Sequence, residues 1–322
     1  MNKKWVTTFY QNLIEAELSD SNAKIEECLN FKKQHLPRFI YKYRSFNNFA
    51  YNDLFNNSVH LSYSNTFNDP LDCSSICTYE QALLLSLLKE EESLSTKDEE
   101  LFFSSKNDFW PNEYRKYVKT ELLKGKPYKP IMINRLLEWG AFSKWEAQNY
   151  YKKFKRELDE QVLILSEEFK NKFLLCSFAA TVKNNLMWSH YANSHTGFCV
   201  EYDISTLEVN SPLLHALYPV IYTKIPLLSN INAIYYTDST KDMLTLMNKS
   251  FDWSYEQEYR LLCYGKNQNY FMPNLPSRIF LGLKINKRNQ DKIMKFAKKY
   301  HIEVRKMKIN ASSFDLSHER VY

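Results

Sequence analysis

The chain has 322 residues, of which 44% are hydrophobic, so it is long and apolar enough to bury a sizeable core. Only 5 residues are glycine, against 23 tyrosines and 21 phenylalanines, and neither a G-x-G-x-x-G motif nor a P-loop is present. This composition disfavours nucleotide binding of the Rossmann or Walker kind.

The beginning of the chain, MNKKWVTTFYQNLIEAELSD, lacks the apolar centre of a signal peptide. No stretch approaches the roughly 18 consecutive apolar residues that a transmembrane helix needs. Of the six cysteines only Cys73 and Cys77 lie close together, and a zinc site would need further ligands. We therefore expect a cytoplasmic protein with reduced thiols, no metal and no membrane partner.

The formal net charge is +6, and the basic excess is concentrated in the C-terminal stretch KINKRNQDKIMKFAKKYHIEVRKMKIN. A solvated helix face explains most such runs. The alternative is a non-catalytic module that binds nucleic acid or another partner through Lys295, Lys298 and Lys299.

The first elements are predicted from apolar spacing and β-forming residues. Residues 3–34 have apolar positions at helical spacing and predict a helix. PRFIYKYRSF is rich in aromatic and β-branched residues and predicts a strand through Arg44. A short helix in NNFAYNDLFNN and a strand in SVHLSYS follow, and Asn68-Asp69-Pro70 predicts a turn.

Residues 79–175 are predicted to be mostly helical, as an insertion or lid. Strand patterns return in FLLCSFAA, GFCVEYD, PVIYT and EYRLLCY, with a helix at 238–250, and the C-terminus predicts strand, helix, strand. This order indicates an α+β fold with a mixed, largely antiparallel sheet. We divide the chain into an N-terminal helical segment (1–37), a core (38–285) and a helix–strand unit that completes the core (286–322).

Two strand segments carry polar residues suited to binding. Arg44 in YKYRS is either a salt-bridged residue or a fork for a phosphate or carboxylate. In HLSYSNTFNDPLD, Ser62 and Ser64 share a strand face with His60. The acids of the following turn either cap that turn or face a ligand.

A third segment, LMWSHYANSHTGFCVEYD, contains two histidines among aromatic residues. His190 and His195 lie near the end of a short predicted helix that Gly197 ends. Their five-residue separation does not place them on one helix face, which disfavours a metal site. A substrate or cofactor wall with Tyr191 and Trp188 and a hydrogen-bonded structural junction both remain open.

The fourth segment, DWSYEQEYRLL, is the most informative. If it is a strand, Glu256 and Glu258 point to the same side, together with Arg260. Two buried carboxylates on one face repel each other unless a cation or a substrate uses them. The segment is therefore either a structural triad with Arg260 or an acid/base or ribose-binding pair.

The segments IYKYRSF, LSYSNTFNDPLDC, LMWSHYANSHTGFCVEYD and WSYEQEYRLL, in this order, resemble a widespread bacterial family catalogued as domain of unknown function 2971. The resemblance spans about residues 38–285, with the helical block as its variable part. It implies a family and little about function.

A second resemblance suggests a chemistry. An arginine on an early strand, a serine-bearing second strand and a late Glu-x-Glu are similar to the R-S-E pattern of ADP-ribosyltransferases. The resemblance implies an ADP-ribosyltransferase-like core in which Arg44 anchors NAD as the substrate and Ser62 or Ser64 supports the nicotinamide pocket. Glu258 would hold the nicotinamide ribose, with Glu256 nearest the acceptor.

This chemistry is physically coherent, because a buried carboxylate stabilises the oxocarbenium ion that forms when the bond to nicotinamide breaks. Tyr43 and Tyr191 would line the site, and His190 would join the catalytic residues. The sequence departs from the pattern in two places. The usual Ser-Thr-Ser is Ser62-Tyr63-Ser64, and SHYANSH has no counterpart.

The leading hypothesis is an NAD-dependent ADP-ribosyltransferase that modifies a protein or nucleic-acid acceptor. It would act as a bacterial toxin or phage-defence effector, with an antitoxin or defence-system partner. The second hypothesis is a hydrolase or nuclease, with or without metal, that uses His190, His195, Asp69 and Asp72. The non-catalytic binding module described above is the third.

Overall fold

The computed structural model describes residues 4–73, 169–224, 238–310, 313 and 315–322, together with the single residues 145, 148, 149, 152 and 156. The chain divides into two compact units, which comprise 1–73, 170–224 and 246–322, and 74–169 and 225–245. The described residues of the second unit are helical. The helical insertion expected over 79–175 lies almost entirely outside the described residues, and the predicted domain boundaries remain a prediction.

The helices of the described ranges are α1 (Lys4–Leu18), α2 (Asn22–His35), α3 (Asn48–Phe55), α4 (Asn185–Tyr191), α5 (Pro212–Ala216), α6 (Asp238–Met247) and α7 (Lys287–Tyr300). The strands there are β1 (Phe39–Arg44), β2 (Ser58–His60), β3 (Ser62–Tyr63), β4 (Phe173–Ala179), β5 (Phe198–Asp203), β6 (Leu217–Pro219), β7 (Ile221–Thr223), β8 (Asn248–Ser250), β9 (Glu258–Tyr264), β10 (Asn269–Phe271), β11 (Arg278–Leu281), β12 (Glu303–Ile309) and β13 (Leu316–Arg320). None of these helices is long and apolar enough to cross a membrane.

A nine-stranded sheet forms the centre of the first unit. Its strand order is β13-β12-β11-β5-β1-β4-β9-β6, and β3 pairs with β4 beside this path. Only β11 and β12 are parallel among the pairs of this sheet, and α7 connects them. The predicted α+β class with a mixed, largely antiparallel sheet is confirmed.

The sheet buries apolar side chains on both faces, because successive strand residues point to opposite sides. In β5, Phe198 and Val200 belong to one core cluster and Cys199 to the other. On the first face α7 contributes Ile293 and Phe296. On the second face α4 contributes apolar residues, among them the fully buried Trp188. The sheet is therefore a two-sided core, and α4 marks the side that carries the candidate site.

Two local features differ from the expected elements. The single helix predicted over 3–34 is two helices, since Asp20 is left-handed (φ 48°) and Ser21 caps α2 by accepting from the backbone N–H of Lys24. The strand predicted in SVHLSYS divides into β2 and β3, which pair with β10 and β4 respectively. The first difference arises at short polar residues that let the backbone turn. The second arises at Leu61, whose backbone N–H donates to the carbonyl of Gln268 at 2.7 Å.

Two glycines allow backbone segments to touch beside β5. A Cβ atom on Gly197 would lie 2.0 Å from the carbonyl oxygen of Arg44, and one on Gly282 would lie 2.2 Å from that of His195. The N–H of Gly282 also donates to the carbonyl of Gly197 at 2.9 Å. Close backbone approach, rather than a positive φ, is what these two positions require.

Candidate functional site

A cavity of about 390 Å³ lies beside β1 and β4 in the first unit. Its lining residues come from five parts of the chain: Tyr41, Lys42, Tyr43; His60, Ser62, Thr66, Phe67, Asn68, Asp72; Leu175, Cys176, Ser177, Phe178, Ala179; Met187, His190, Tyr191; and Lys249, Glu256, Glu258. The size is in the range of small-molecule pockets. The cavity combines aromatic walls with a group of charged side chains.

Most of the site residues expected from the sequence meet in this cavity. Those that line it are Tyr43, Ser62, His190, Tyr191, Glu256 and Glu258. Arg44 and Ser64 do not line it. Tyr43 and Glu258, which are 215 positions apart in sequence, are brought together because β1, β4 and β9 are consecutive strands of one sheet.

Arg44 and Ser64 have structural partners instead. Arg44 forms an ion pair with Asp53 of α3, and both side chains are largely buried. Ser64 begins a short 3-10 helix, and its hydroxyl donates to the carbonyl of Lys170 at 3.3 Å. Of the two interpretations of Arg44, the geometry therefore favours the salt-bridged residue.

The two glutamates do not lie on one continuous strand. Glu256 ends a 3-10 helix (Phe251–Glu256), Gln257 adopts a left-handed conformation with φ 47°, and Glu258 begins β9. The expectation that both carboxylates share a strand face is wrong for Glu256, because the left-handed residue redirects the chain. Both carboxylates nevertheless reach the same cation.

That cation is Lys249 of β8. Its Nζ lies 2.6 Å from Glu256 Oε2, 3.1 Å from Glu258 Oε2 and 3.2 Å from Asp72 Oδ2. Arg260 is the second cation, with Nε 2.7 Å from Glu258 Oε1 and an Nη 2.7 Å from Asp72 Oδ2. All five side chains are at most 4% exposed. We call these five residues the charge cluster.

The charge cluster contains three carboxylates and two cations. If every member is ionised, it carries one excess negative charge at the wall of the cavity. Neutral groups complete its hydrogen bonds: the hydroxyl of Tyr191 donates to Glu256 Oε1 at 2.5 Å, and the backbone N–H of Glu258 donates to the hydroxyl of Tyr222 at 2.8 Å. A buried site with surplus negative charge favours either a proton or a positively charged ligand.

The cluster drives the pKa values of its two glutamates apart. Burial, followed by the charge of Glu258, raises the pKa of Glu256. Burial acts in the same sense on Glu258, but Arg260 and Lys249 outweigh it and hold the pKa of that carboxyl well below its usual range. Of the two glutamates, Glu256 therefore binds a proton at the higher pH, and Glu258 stays ionised to lower pH.

The segment that contains both histidines separates them. His190 lies on α4 and lines the cavity. Asn193, Ser194 and His195 form a run of left-handed residues with φ of 46°, 52° and 69°, and His195 stacks on Trp188 at 6.1 Å between ring centroids. Burial, followed by Lys284, lowers the pKa of His195. His195 therefore belongs to the turn that leads into β5.

The two aspartates of the turn, Asp69 and Asp72, also lie in different surroundings. Asp69 accepts a hydrogen bond from the backbone N–H of Leu71 at 2.9 Å, as expected of a turn-capping residue. Asp72 is buried in the charge cluster. Of the four residues in the hydrolase hypothesis, His190 and Asp72 line the cavity, and Asp69 and His195 do not. Within the described part of the chain, no group of three His, Cys, Asp or Glu residues is placed to hold a metal ion.

Two lysines at the cavity, Lys42 and Lys249, were not among the residues expected from the sequence. Lys42 lies between two tyrosines of β1, and its Nζ donates to the carbonyl of Ser177 at 2.9 Å. Lys249 follows the apolar end of α6 and precedes Glu256 by seven residues. For Lys42 the available signal was a lysine between aromatic residues of a strand, since such a residue needs a partner when it is buried. Lys249 stands between Asn248 and Ser250 and gave no such signal.

Comparison with known protein families gives a match that covers part of the cavity. A family described as protein of unknown function (DUF2971) matches residues 187–261, which extend from α4 to the first half of β9. Within the expected span of 38–285, the match confirms the family resemblance over these residues. No curated protein and no solved structure matches the chain. The DUF2971 segment carries His190, Tyr191, Glu256 and Glu258, so it supplies four of the cavity residues that were expected to form the site.

Proposed function

We propose that this DUF2971 protein cleaves the glycosidic bond between nicotinamide and ribose in NAD and transfers ADP-ribose to a macromolecular acceptor. The observation that carries the proposal is the pair Glu256 and Glu258, which share Lys249 in one cavity and have pKa values displaced in opposite directions. Two carboxylates with divergent pKa values are the usual arrangement for glycosyl chemistry.

Each glutamate has a role that follows from its surroundings. The ionised Glu258 stabilises the positive charge that develops on the ribose as nicotinamide leaves. Glu256, which takes up and gives back a proton more readily, accepts the proton of the attacking acceptor group. The proton carried by the acceptor thus passes to Glu256, and the ribose carbon exchanges its bond to nicotinamide for one to the acceptor.

The charge of the cluster suits the substrate. The nicotinamide ring of NAD is a cation, and the charge cluster at the cavity wall, when its five members are ionised, presents it with one surplus negative charge beside the rings of Tyr43 and Tyr191. Lys42 would face the phosphates in place of Arg44. Among the described residues, no carboxylate lies within ion-pair distance of the Lys42 ammonium, whose hydrogen bond goes to a backbone carbonyl.

Nicotinamide release from NAD tests the proposal. Glu256→Gln is expected to lower the rate by about 100-fold or more, the usual contribution of a general acid or base. Glu26→Gln, the same change at an exposed carboxylate of α2, is the matched control and should leave the rate unchanged. In the wild type, release should rise as the pH increases through the raised pKa of Glu256, and the variant should lack this limb.

A comparison of NAD binding with NADH binding distinguishes recognition of the charged nicotinamide ring from turnover. NADH has the same phosphates and riboses but an uncharged ring, so calorimetry should show weaker binding of NADH than of NAD. Equal binding of both, or release that is unchanged in Glu256→Gln, contradicts the proposal. Glu258→Gln is compared by binding as well as by rate, since it also removes a partner of Arg260.

A further inference from the structure

A basic stripe runs along the outer side of α7. Arg288, Lys292, Lys295 and Lys299 recur at intervals of four, three and four residues, which places them on one face of the helix. At 1.5 Å per residue the stripe is about 16 Å long. The other side of α7 buries Ile293, Phe296 and Ala297 against the sheet, so the charged face is held outward by the core of the first unit.

Aromatic rings lie directly beside this stripe. Lys292 Nζ is 5.9 Å from the ring centroids of both Phe46 and Tyr51. Lys299 Nζ is 5.1 Å from the ring of Phe55 and 4.9 Å from that of Tyr300. Phe55 is 48% exposed. Phe46, Tyr51 and Tyr300 are half-buried. Cations and partly accessible rings therefore lie side by side on one surface, which we call the basic face.

The charges of the basic face are not neutralised within the part of the chain that the structure describes. The single acid of α7, Asp291, pairs with Lys287 at 3.0 Å. Among the described residues, no carboxylate lies within ion-pair distance of Arg288, Lys295 or Lys299. The counter-charge for this surface must come from ions or from a bound anionic partner.

We propose that the basic face binds single-stranded nucleic acid, with the phosphates on the four cations and the bases stacked on the neighbouring rings. A polyanion complements the charge of the stripe, and exposed aromatic rings beside cations are the usual platform for unpaired bases. An anionic membrane fits less well, because the apolar side of α7 is already buried. The proposal does not depend on NAD chemistry, since it uses none of the cavity residues.

Fluorescence anisotropy tests the proposal. A fluorescein-labelled 20-nucleotide oligothymidylate is titrated with the full chain at several salt concentrations, and the dependence of the affinity on salt gives the number of phosphate contacts. Each phosphate contact on a single strand contributes about −0.7 to the slope of log K against log salt, so four contacts give about −3. The variant Arg288→Gln, Lys292→Gln, Lys295→Gln, Lys299→Gln should lose most of this slope and most of the affinity.

The control variant makes the same change in net charge elsewhere: Lys4→Gln, Lys24→Gln, Lys183→Gln, Lys266→Gln, all at exposed positions. It should keep the wild-type slope. An equal loss of affinity and salt slope in both variants would show that binding depends on net charge alone, and would overturn the proposal. Glu256→Gln should bind the oligonucleotide like the wild type, so a failure of the NAD proposal is distinguishable from a failure of this one.

Phe55→Ala tests the stacking part. It should weaken binding by roughly 5- to 150-fold, the range measured for single base–ring stacks, with the salt slope unchanged. Urea unfolding shows whether the variant is folded. Tighter binding of a duplex of the same length, or of phosphatidylserine vesicles, than of the single strand would overturn the assignment. Undiminished affinity of a folded Phe55→Ala protein would do the same.

Discussion

Lys249 forms ion pairs with three carboxylates, and each lies within 3.2 Å of its Nζ. Its own burial lowers its pKa, but Glu258 and the other carboxylates outweigh burial, so the pKa is raised and the lysine stays charged. At the residue scale the candidate site therefore depends on this cation. The lysine offsets the repulsion between Glu256 and Glu258 and orients both carboxylates.

Replacement of this lysine should destabilise the fold. Lys249→Met leaves three buried carboxylates with Arg260 alone, and loss of one partner from a buried ionic group costs about 3–5 kcal/mol. Urea unfolding measures the difference. The matched control is Lys308→Met, which removes an exposed lysine paired with Glu319 and should cost less than about 1 kcal/mol. Similar small losses in both would show that the buried cluster contributes little to stability.

At the scale of elements, one buried lysine joins the N-terminal helices to the edge of the sheet. Lys32 of α2 is 1% exposed, and its Nζ donates to the carbonyls of His215 and Leu217 at 3.3 and 3.0 Å. The same atom lies 4.4 Å from the ring centroid of Tyr218 in β6. Burial lowers the pKa of Lys32 to about 7, and no carboxylate of the described residues forms an ion pair with it.

This shift predicts a pH-dependent attachment of α2. The pKa of an unfolded lysine is about 10.4, so between pH 7 and about 10 the unfolded chain binds one more proton at this position than the folded chain. The free energy of unfolding should therefore rise with pH in this window. Urea unfolding at pH 7, 8 and 9 measures the rise, and Lys32→Met should reduce it. Parallel curves for the two proteins would mean that Lys32 is charged when folded.

At the scale of the whole molecule, the central strand pairs with partners that are distant in sequence. Tyr41 of β1 lies opposite Ala179 of β4 on one side and Glu201 of β5 on the other. The cavity exists only where these strands are assembled. Chains with many long-range strand pairs fold slowly, because loop closure precedes the contacts that stabilise it.

Refolding from urea is accordingly expected to take seconds rather than milliseconds. Trp188 is fully buried between α4 and the sheet, so its fluorescence reports this part of the assembly, and Trp188→Phe identifies its signal. Nicotinamide release, if the proposed function holds, should return with the same time course, since Glu256 and Glu258 need the sheet for their alignment. Complete recovery of the Trp188 signal within milliseconds would contradict this prediction.

Most strands were predictable because local patterns determine them. Alternating or continuous apolar runs identified β1, β4, β5, β9, β11 and β12, and the helical pattern identified α7. What local patterns miss is set by tertiary contacts or by single dihedral angles. The left-handed conformation of Gln257 takes Glu256 out of its strand, and the pairing of Arg44 with Asp53 depends on how α3 packs.

The candidate site was predictable in part for the same reason. The types and order of its residues are visible in the sequence, and His190, Tyr191, Glu256 and Glu258 do meet in one cavity. Of the two cations that hold the carboxylates, Arg260 was visible in the sequence beside Glu258. Lys249 lies on β8, whose pairing with β7 no local pattern shows. NAD as a substrate and the macromolecular acceptor remain proposals that the experiments above address.

The contacts at Gly197 and Gly282 limit which mutations can be tolerated at their codons. The codons of glycine differ by one nucleotide from those of amino acids such as alanine, serine, valine and aspartate, and each of these adds a Cβ atom. At these two positions that atom would overlap a carbonyl oxygen of Arg44 or His195. Every single-base missense change at either codon therefore introduces this overlap, and even alanine, the smallest replacement, does not avoid it.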